Sequence, residues 1–166
     1  MIESNYLQDK AIIDKLKQIN IFKPFNDSDL EGMLKLSKIR QYKPGEMILR
    51  EGNYDCWIYF LISGAVRIVK TEKEIGTLQR RGDVFGEMSV IDGSVRSASI
   101  YAVNDVVCLA TDGSYIERLS GNDKVLFCYI LFRIFSELLS ERLRETSQDL
   151  VEARGEISEL KKKLYR

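Results

Sequence analysis

The sequence contains no histidine. Histidine is the side chain most often used as a general base near neutral pH, and its imidazole is a common ligand of metal ions. Its absence excludes a serine–histidine–aspartate triad and a histidine metal cage. The loss of this chemistry is one reason why we expect no catalytic residues, no metal ion and no cofactor, and why we expect that the protein is not an enzyme.

Cysteine is also scarce. Cys56, Cys108 and Cys128 are widely separated and form no CxxC pair, which is typical of neither a zinc site nor a secreted disulfide framework. The N-terminus lacks the apolar core of a signal peptide, and the longest apolar run, residues 125–139, is interrupted by charged side chains. The sequence therefore predicts a cytoplasmic protein with no membrane partner.

An excess of charge of either sign is absent as well. Lys and Arg number 25, as do Asp and Glu, so the formal net charge is zero and no overall field attracts the chain to nucleic acid. Of the 166 residues, 45% are hydrophobic and 30% are charged. This balance predicts one globular domain with a buried core and an appendage.

Three segments differ in the spacing of their apolar residues. Residues 1–37 show helical spacing, and the stretch 26–28 with Glu31 offers capping-box chemistry. Residues 38–121 alternate with a period of two between glycine turns, which predicts an antiparallel β-roll or jelly-roll-like barrel. Residues 122–166 return to helical spacing. The predicted fold is mainly β with flanking helices, and the cupin-type metal enzymes that share this layout are disfavoured because they need histidine ligands.

The C-terminal helix carries a heptad repeat. One apolar position is filled by Leu143, Leu150, Ile157 and Leu164, and the other by Leu139, Thr146, Ala153 and Leu160. In a parallel dimer this repeat would pair Asp149 with Arg154 and Glu156 with Lys161, and both pairs are attractive. A single amphipathic helix packed on its own domain is the alternative. Because the last turns have no spare partner in so short a chain, we predict a homodimer formed through this helix as a coiled coil.

The segment FGEMSVIDGSVRSAS, residues 85–99, places an acid, a base and hydroxyls around a glycine turn. Gly86 allows close approach of the backbone, and the helical turn expected after it presents N–H groups to an anion. Arg96 has a forked donor set suited to phosphate, and Ser97 adds a hydroxyl donor. Glu87 accepts hydrogen bonds and suits a pair of hydroxyls. The segment thus indicates a nucleotide with a free ribose hydroxyl, whereas the alternative is a surface ion pair between Glu87 and Arg96.

Residues 12–150 resemble the cyclic nucleotide-binding domain family. The run KPGEMILREGNYDCWIYFLISGAVRIV is similar to the first strands of that family, and FGEMSVIDGSVRSAS is similar to its phosphate-binding cassette. The resemblance implies that Glu87 binds the ribose 2′-hydroxyl and Arg96 the cyclic phosphate. It further implies hydrogen bonds to the ligand from Gly86, Met88, Ser89 and Ser97. Many members have proline before the arginine, where this chain has Val95, a change that touches no ligand group.

The stretch RLRETSQDL resembles the dimer helix of the catabolite activator proteins, in which a Thr-Ser pair contacts the adenine from both subunits. The resemblance implies that Thr146 and Ser147 contact the base, which favours cAMP. For Thr146 the alternative is a tolerated polar residue in a coiled coil, and Ser97 is equally compatible with cGMP. A helix-turn-helix domain follows the dimer helix in those relatives, whereas this chain ends at Arg166, so we expect no direct DNA binding.

Taken together, the sequence predicts a dimeric cyclic nucleotide sensor that most favours cAMP and shifts the packing of its dimer helix for an unidentified downstream protein. Three alternatives stay open: a dimeric scaffold that retains the fold without a ligand, a sensor for cGMP, and a sensor for cyclic di-GMP in a modified pocket. An enzyme is disfavoured because Glu87 has no second acid or nucleophile beside it.

Overall fold

The computed structural model of the chain describes residues 2–4, 10–114 and 121–164. It divides into two compact units, residues 1–130 and 131–166. The first unit contains two β-sheets and the short helices, and the second contains the greater part of one long helix.

The N-terminal part of the first unit combines a strand with short helices. Strand β1 (Ile2–Ser4) precedes α1 (Lys10–Lys17), a 3₁₀ turn (Asn20–Phe22) and α2 (Asp27–Leu34). The apolar spacing of residues 1–37 predicted a helical segment here and gave no sign of β1. A strand of three residues is too short to show a period of two, and it is defined by pairing with a strand far along the chain.

Helix α2 begins with a capping box, as predicted, but the residues that form it differ. The Asn26 side chain accepts a hydrogen bond from the backbone N–H of Asp29 at 3.0 Å, and the Asp29 carboxylate accepts one from the backbone N–H of Asn26 at 3.1 Å. The box therefore starts at Asn26, and Glu31 lies beyond the first turn.

Eight further strands lie in the described part of the first unit: β2 (Ser37–Tyr42), β3 (Met47–Leu49), β4 (Trp57–Ser63), β5 (Val66–Lys70), β6 (Lys73–Leu78), β7 (Val84–Phe85), β8 (Ser99–Ala102) and β9 (Val106–Asp112). They form one sheet of order β1-β2-β9-β4-β7 and another of order β3-β8-β5-β6. All pairings are antiparallel. This architecture confirms the predicted antiparallel β-roll with flanking helices.

Two apolar layers follow from the alternation of side chains along β4. Tyr59 and Leu61 belong to the cluster of buried side chains that also includes Cys108, whose thiol pKa is raised by burial to about 12. Phe60 points to the opposite face, where its ring lies 5.1 Å from that of Phe22 in the 3₁₀ turn. The aromatic-rich sequence of β4 thus anchors both the interior of the roll and the helical layer outside it.

The β5–β6 hairpin turns through Thr71 and Glu72, whose φ angles are 49° and 63°. Positive φ at both central positions is typical of a type I′ turn, which favours Asn-Gly and strains a β-branched residue. We expect the double substitution Thr71→Asn, Glu72→Gly to stabilise the protein by about 1 kcal/mol and to raise Tm by about 2–4 °C. Differential scanning calorimetry measures this shift. A fall in Tm would show that the Glu72 side chain makes a contact worth more than the strain.

The long helix α4 spans Gly121–Leu164, close to the predicted start at residue 122. The spacing of Ser114 and Glu117 in the sequence also predicts a short helix that ends near Gly121, and this helix falls largely on residues 115–120, which lie outside the described residues. Within the ranges that the structure describes, no helix is both long and apolar enough to cross a bilayer.

Candidate functional site

The cassette segment folds as a short helix between two glycines. Strand β7 ends at Phe85, helix α3 spans Met88–Asp92, and Gly93 closes it in the left-handed region with φ of 69°. The backbone N–H of Gly93 donates to the Ser89 carbonyl at 3.1 Å. Hydrogen bonds from Ser94 lower the pKa of Asp92, so this carboxylate stays ionised where the helix ends. The predicted helical turn is present and starts one residue later than expected.

Gly86 is required by both space and conformation. Its φ is 80°, and a Cβ added there would lie 2.8 Å from the Trp57 carbonyl oxygen and 2.8 Å from Arg96 Nη1. Any other residue would bring its Cβ too close to these atoms and would be strained at this positive φ. The missing side chain is what allows the Arg96 guanidinium to lie directly against the start of the cassette.

The Arg96 side chain is only 2% exposed and is held by three partners. Its Nε donates to Asp55 Oδ2 at 3.1 Å, and its Nη2 donates to Asp55 Oδ1 and to the Trp57 carbonyl oxygen, the latter at 2.6 Å. Its Nη1 donates to the Gly86 carbonyl oxygen. Arg96 is therefore oriented by a bidentate carboxylate and two backbone carbonyls.

These contacts limit what Arg96 offers to an anion. A guanidinium has five N–H groups, and the contacts with described residues use four of them, leaving one on Nη1. An incoming anion either accepts from that N–H or displaces Asp55, whose side chain is 35% exposed. Asp55 therefore sets how strongly Arg96 attracts a negative charge.

Sequence reasoning did not identify Asp55. It reaches Arg96 because the loop before β4 pairs with the end of the cassette: the backbone N–H of Gly52 donates to the Arg96 carbonyl at 2.9 Å, and that of Arg96 donates to the Asn53 carbonyl at 2.8 Å. The available signal in the sequence was that Asp55 lies close to Gly52, within the run that resembles the first strands of the family. That signal does not reveal a partner 41 residues away in the chain.

The other predicted cassette residues fall into two groups. Glu87 is 1% exposed and precedes α3, and Ser89 is also buried. Met88 and Ser97 are exposed, and the Ser97 hydroxyl lies 3.5 Å from the Met88 sulfur. The structure thus brings both opposite charges of the segment, Glu87 and Arg96, into buried positions at the two ends of one short loop.

An aromatic stack supports the start of the cassette. The Tyr59 ring lies parallel to the Phe85 ring at 5.0 Å, directly before Gly86. Arg40 Nη1 donates to the Tyr59 hydroxyl at 2.8 Å, and its guanidinium lies 3.9 Å from the centre of the Trp57 ring. Burial raises the pKa of Tyr59, so the phenol stays neutral and keeps its place in this network. This support was not predicted from the sequence, because its members come from three separate strands.

Gly113 brings the end of β9 against the cassette helix. Its backbone N–H donates to the Cys56 carbonyl at 2.9 Å, and a Cβ added at this position would lie 2.9 Å from Val90 Cγ1. Val90 belongs to α3, so the position of the cassette helix depends on the absence of a side chain at Gly113.

The remaining predicted site residues, Thr146 and Ser147, lie on α4 in the second unit. Both are exposed and consecutive in sequence. The first unit therefore contains the residues expected to contact phosphate and sugar, and the second contains those expected to contact the base.

Known proteins are similar to this chain in sequence. The chain is 30% identical over 149 residues to a cGMP-dependent protein kinase of Plasmodium berghei, covering 84% of this chain and 17% of the relative. It is 28% identical over 117 residues to a cAMP-dependent protein kinase regulatory subunit of Hypocrea atroviridis, covering 70% of this chain and 23% of the relative. The chain thus spans less than a quarter of the length of either relative.

Solved structures share the fold. A cyclic nucleotide-binding domain from Methylobacillus flagellatus matches with a TM-score of 0.72 and 22% identity, covering 86% of this chain and 82% of that chain. The Thermus thermophilus catabolite activator protein matches with a TM-score of 0.62 and 28% identity, covering 78% of this chain and 61% of that chain. The family model described as "Cyclic nucleotide-binding domain" matches residues 39–123, just over half of this chain. The chain therefore belongs to the cyclic nucleotide-binding domain family.

Proposed function

We propose that this protein is a cyclic nucleotide sensor whose cassette binds the phosphate through Arg96 and the ribose 2′-hydroxyl through Glu87. The observation that carries the proposal is the burial of these two opposite charges on either side of one short glycine-flanked helix in a member of this family. Gly86, Met88, Ser89 and Ser97 supply further hydrogen bonds. In this proposal the protein binds a ligand and catalyses no reaction. The cyclic nucleotide is that ligand, and the protein needs no cofactor.

The base selectivity belongs to the same proposal. The relatives include proteins named as cGMP-dependent kinases and as regulatory subunits of cAMP-dependent kinases, so both nucleotides are candidates. We favour cAMP because Thr146 and Ser147 offer hydroxyls for an adenine, in keeping with the resemblance to the catabolite activator proteins. A sensor for cGMP is the second candidate, supported by the exposed Ser97 hydroxyl beside Arg96.

Signalling would follow from a shift in populations. A cyclic phosphate near Arg96 competes with Asp55 for the guanidinium and changes the environment of the cassette, which favours one packing of the C-terminal helix over another. We propose three parts for the chain: residues 1–37 as an N-terminal helical segment, residues 38–121 as the sensor roll and residues 122–166 as the dimerisation helix. In the cytoplasm, the homodimer would transmit this change to a downstream protein. We expect the homodimer to bind neither DNA nor a membrane.

Isothermal titration of the whole chain with cAMP, cGMP and cyclic di-GMP tests the proposal. We expect a dissociation constant in the micromolar range or below for cAMP and weaker binding of the other two. Ligand at a hundredfold excess over its dissociation constant should stabilise the fold by about 2.7 kcal/mol. Affinities weaker than millimolar for both mononucleotides, with no thermal stabilisation, would favour a ligand-free scaffold and refute the sensor.

The close packing at Gly113 provides a structural test of the same site. Gly113→Ala places a methyl group where Val90 and the Cys56 carbonyl oxygen lie, so α3 must move. We expect cAMP affinity to fall by about tenfold, or 1.4 kcal/mol. Gly32→Ala is the matched control, because nothing lies within 4 Å of its added Cβ. Equal affinities for the two variants, measured by titration calorimetry, would show that the cassette tolerates the displacement.

A further inference from the structure

Arg40 is a half-buried cation beside the apolar interior of the roll. It lies on β2, where its partner across the sheet is Cys108 of β9, a fully buried residue. Ala110, two residues further along β9, is fully buried as well. An apolar side chain would fill such a position without the cost of removing a charge from water. The charge of Arg40 therefore needs an explanation other than packing.

The Arg40 side chain crosses a neighbouring strand. Strand β9 lies between β2 and β4, so two strand spacings, or about 10 Å, separate the backbones of β2 and β4. The β9 residues on this face, Cys108 and Ala110, have small side chains that leave room above the strand. The guanidinium therefore reaches β4, where it lies 3.9 Å from the centre of the Trp57 ring and donates to the Tyr59 hydroxyl at 2.8 Å.

Trp57 and Tyr59 support opposite ends of the cassette. The Trp57 backbone carbonyl accepts a hydrogen bond from Arg96 Nη2 at 2.6 Å. The Tyr59 ring stacks on the Phe85 ring at 5.0 Å, in register across the sheet, and Phe85 lies two residues before Glu87. One guanidinium on β2 thus contacts the residue that holds the buried base and the residue that supports the strand leading to the buried acid.

The Tyr59 hydroxyl is held from two sides. It accepts a hydrogen bond from Arg40, and it also hydrogen-bonds with the hydroxyl of Tyr42. Burial raises the pKa of both phenols, so neither ionises near neutral pH. The connection from Arg40 to the aromatic stack therefore keeps the same protonation state across the physiological range.

We infer that Arg40 is a positioning residue that fixes the spacing between the phosphate-binding and sugar-binding ends of the cassette. It acts through Trp57 at the end that carries Arg96, and through Tyr59 at the end that carries Glu87. This inference deepens the proposed function and rests on it for what the two ends bind. The positioning itself is a property of the protein without ligand.

Nuclear magnetic resonance of the whole chain without nucleotide tests the positioning. Arg40→Met keeps a long unbranched side chain and removes the guanidinium, so the resonances of the Arg96 Nε–H and of the Glu87 backbone amide should both shift. Arg67→Met is the matched control. Arg67 lies 5.1 Å from the centre of the Tyr101 ring in the other sheet, so its removal should leave both resonances in place. Any other pattern in the two variants overturns the inference.

Titration calorimetry measures the consequence for binding. Arg40→Met should weaken cAMP binding about tenfold, or about 1.4 kcal/mol, because the two charges of the cassette lose their spacing. It should also narrow the preference for cAMP over its 2′-deoxy form, since Glu87 is displaced. Arg40→Lys retains a donor and a charge and should recover most of the affinity. A loss of stability in urea denaturation, with affinity and preference unchanged, would make Arg40 a packing residue only.

Tyr59→Phe decides the matter if Arg40→Met does not fold. It removes the hydroxyl that accepts from Arg40 and keeps the ring that stacks on Phe85, so the Glu87 amide resonance should still shift. An unmoved resonance would overturn the inference. The resonances are measured without ligand, so a wild type that binds no cyclic nucleotide contradicts the proposed function alone. A wild type that binds cAMP while the variants show no shift contradicts this inference alone.

Discussion

Arg96→Ala is expected to reduce affinity for a cyclic nucleotide by at least a hundredfold, or about 2.7 kcal/mol. The substitution removes a buried cation and, with it, the charge-assisted hydrogen bond that we propose it makes to the phosphate, a bond that contributes about 1.5–3 kcal/mol. It also leaves the Trp57 and Gly86 carbonyl oxygens without their donor, so we expect a loss of about 2 kcal/mol in the free energy of unfolding. Titration calorimetry and urea denaturation measure the two effects separately.

Two further variants separate binding from folding. Arg67→Ala is the matched control. Arg67 is exposed on β5 and pairs with Glu74 of β6 at 3.8 Å, so its removal should leave the affinity for the nucleotide unchanged. Asp55→Asn keeps an acceptor for Arg96 but removes the competing negative charge, and should tighten binding several-fold. Weaker binding by Asp55→Asn would mean that Asp55 chiefly orients the guanidinium. Unchanged affinity of Arg96→Ala, in protein still folded, would remove Arg96 from the phosphate site.

The contrast between Glu87 and Asp55 shows how far sequence reasoning reaches. Glu87, Gly86 and Arg96 were predicted because they lie within one short segment whose glycine turn and charge pattern are local. Asp55 comes from another strand connection, and only the antiparallel pairing of residues 52–53 with Arg96 brings it to the guanidinium. Local chemistry is readable from spacing, whereas a partner set by sheet register requires the structure.

The same distinction applies to the fold. The period of two between glycines predicted the strands of the roll, and the long run of helical spacing predicted α4, because both signals repeat over many residues. Strand β1 was missed because its three residues carry no period and depend on pairing with Arg40 and its neighbours.

Glu87→Gln is expected to weaken cyclic nucleotide binding by about ten- to a hundredfold. The substitution conserves volume at a side chain that is 1% exposed, so packing around it should change little. It replaces a carboxylate, which accepts from hydroxyls with both oxygens, by an amide with one acceptor and one donor group. Loss of a hydrogen bond to a charged group at a buried site costs about 1.5–3 kcal/mol, which sets the expected range.

A ligand that lacks the 2′-hydroxyl tests whether Glu87 binds that group. For the wild type, the 2′-deoxy form of cAMP should bind about as weakly as cAMP binds to Glu87→Gln. For the variant, the two ligands should bind alike, because the partner of the hydroxyl is already gone and the losses do not add. Glu74→Gln, an exposed carboxylate on β6, is the matched control and should keep the full preference for the hydroxyl. If the losses add in Glu87→Gln, the carboxylate and the 2′-hydroxyl act independently, and Glu87 holds the cassette rather than the sugar.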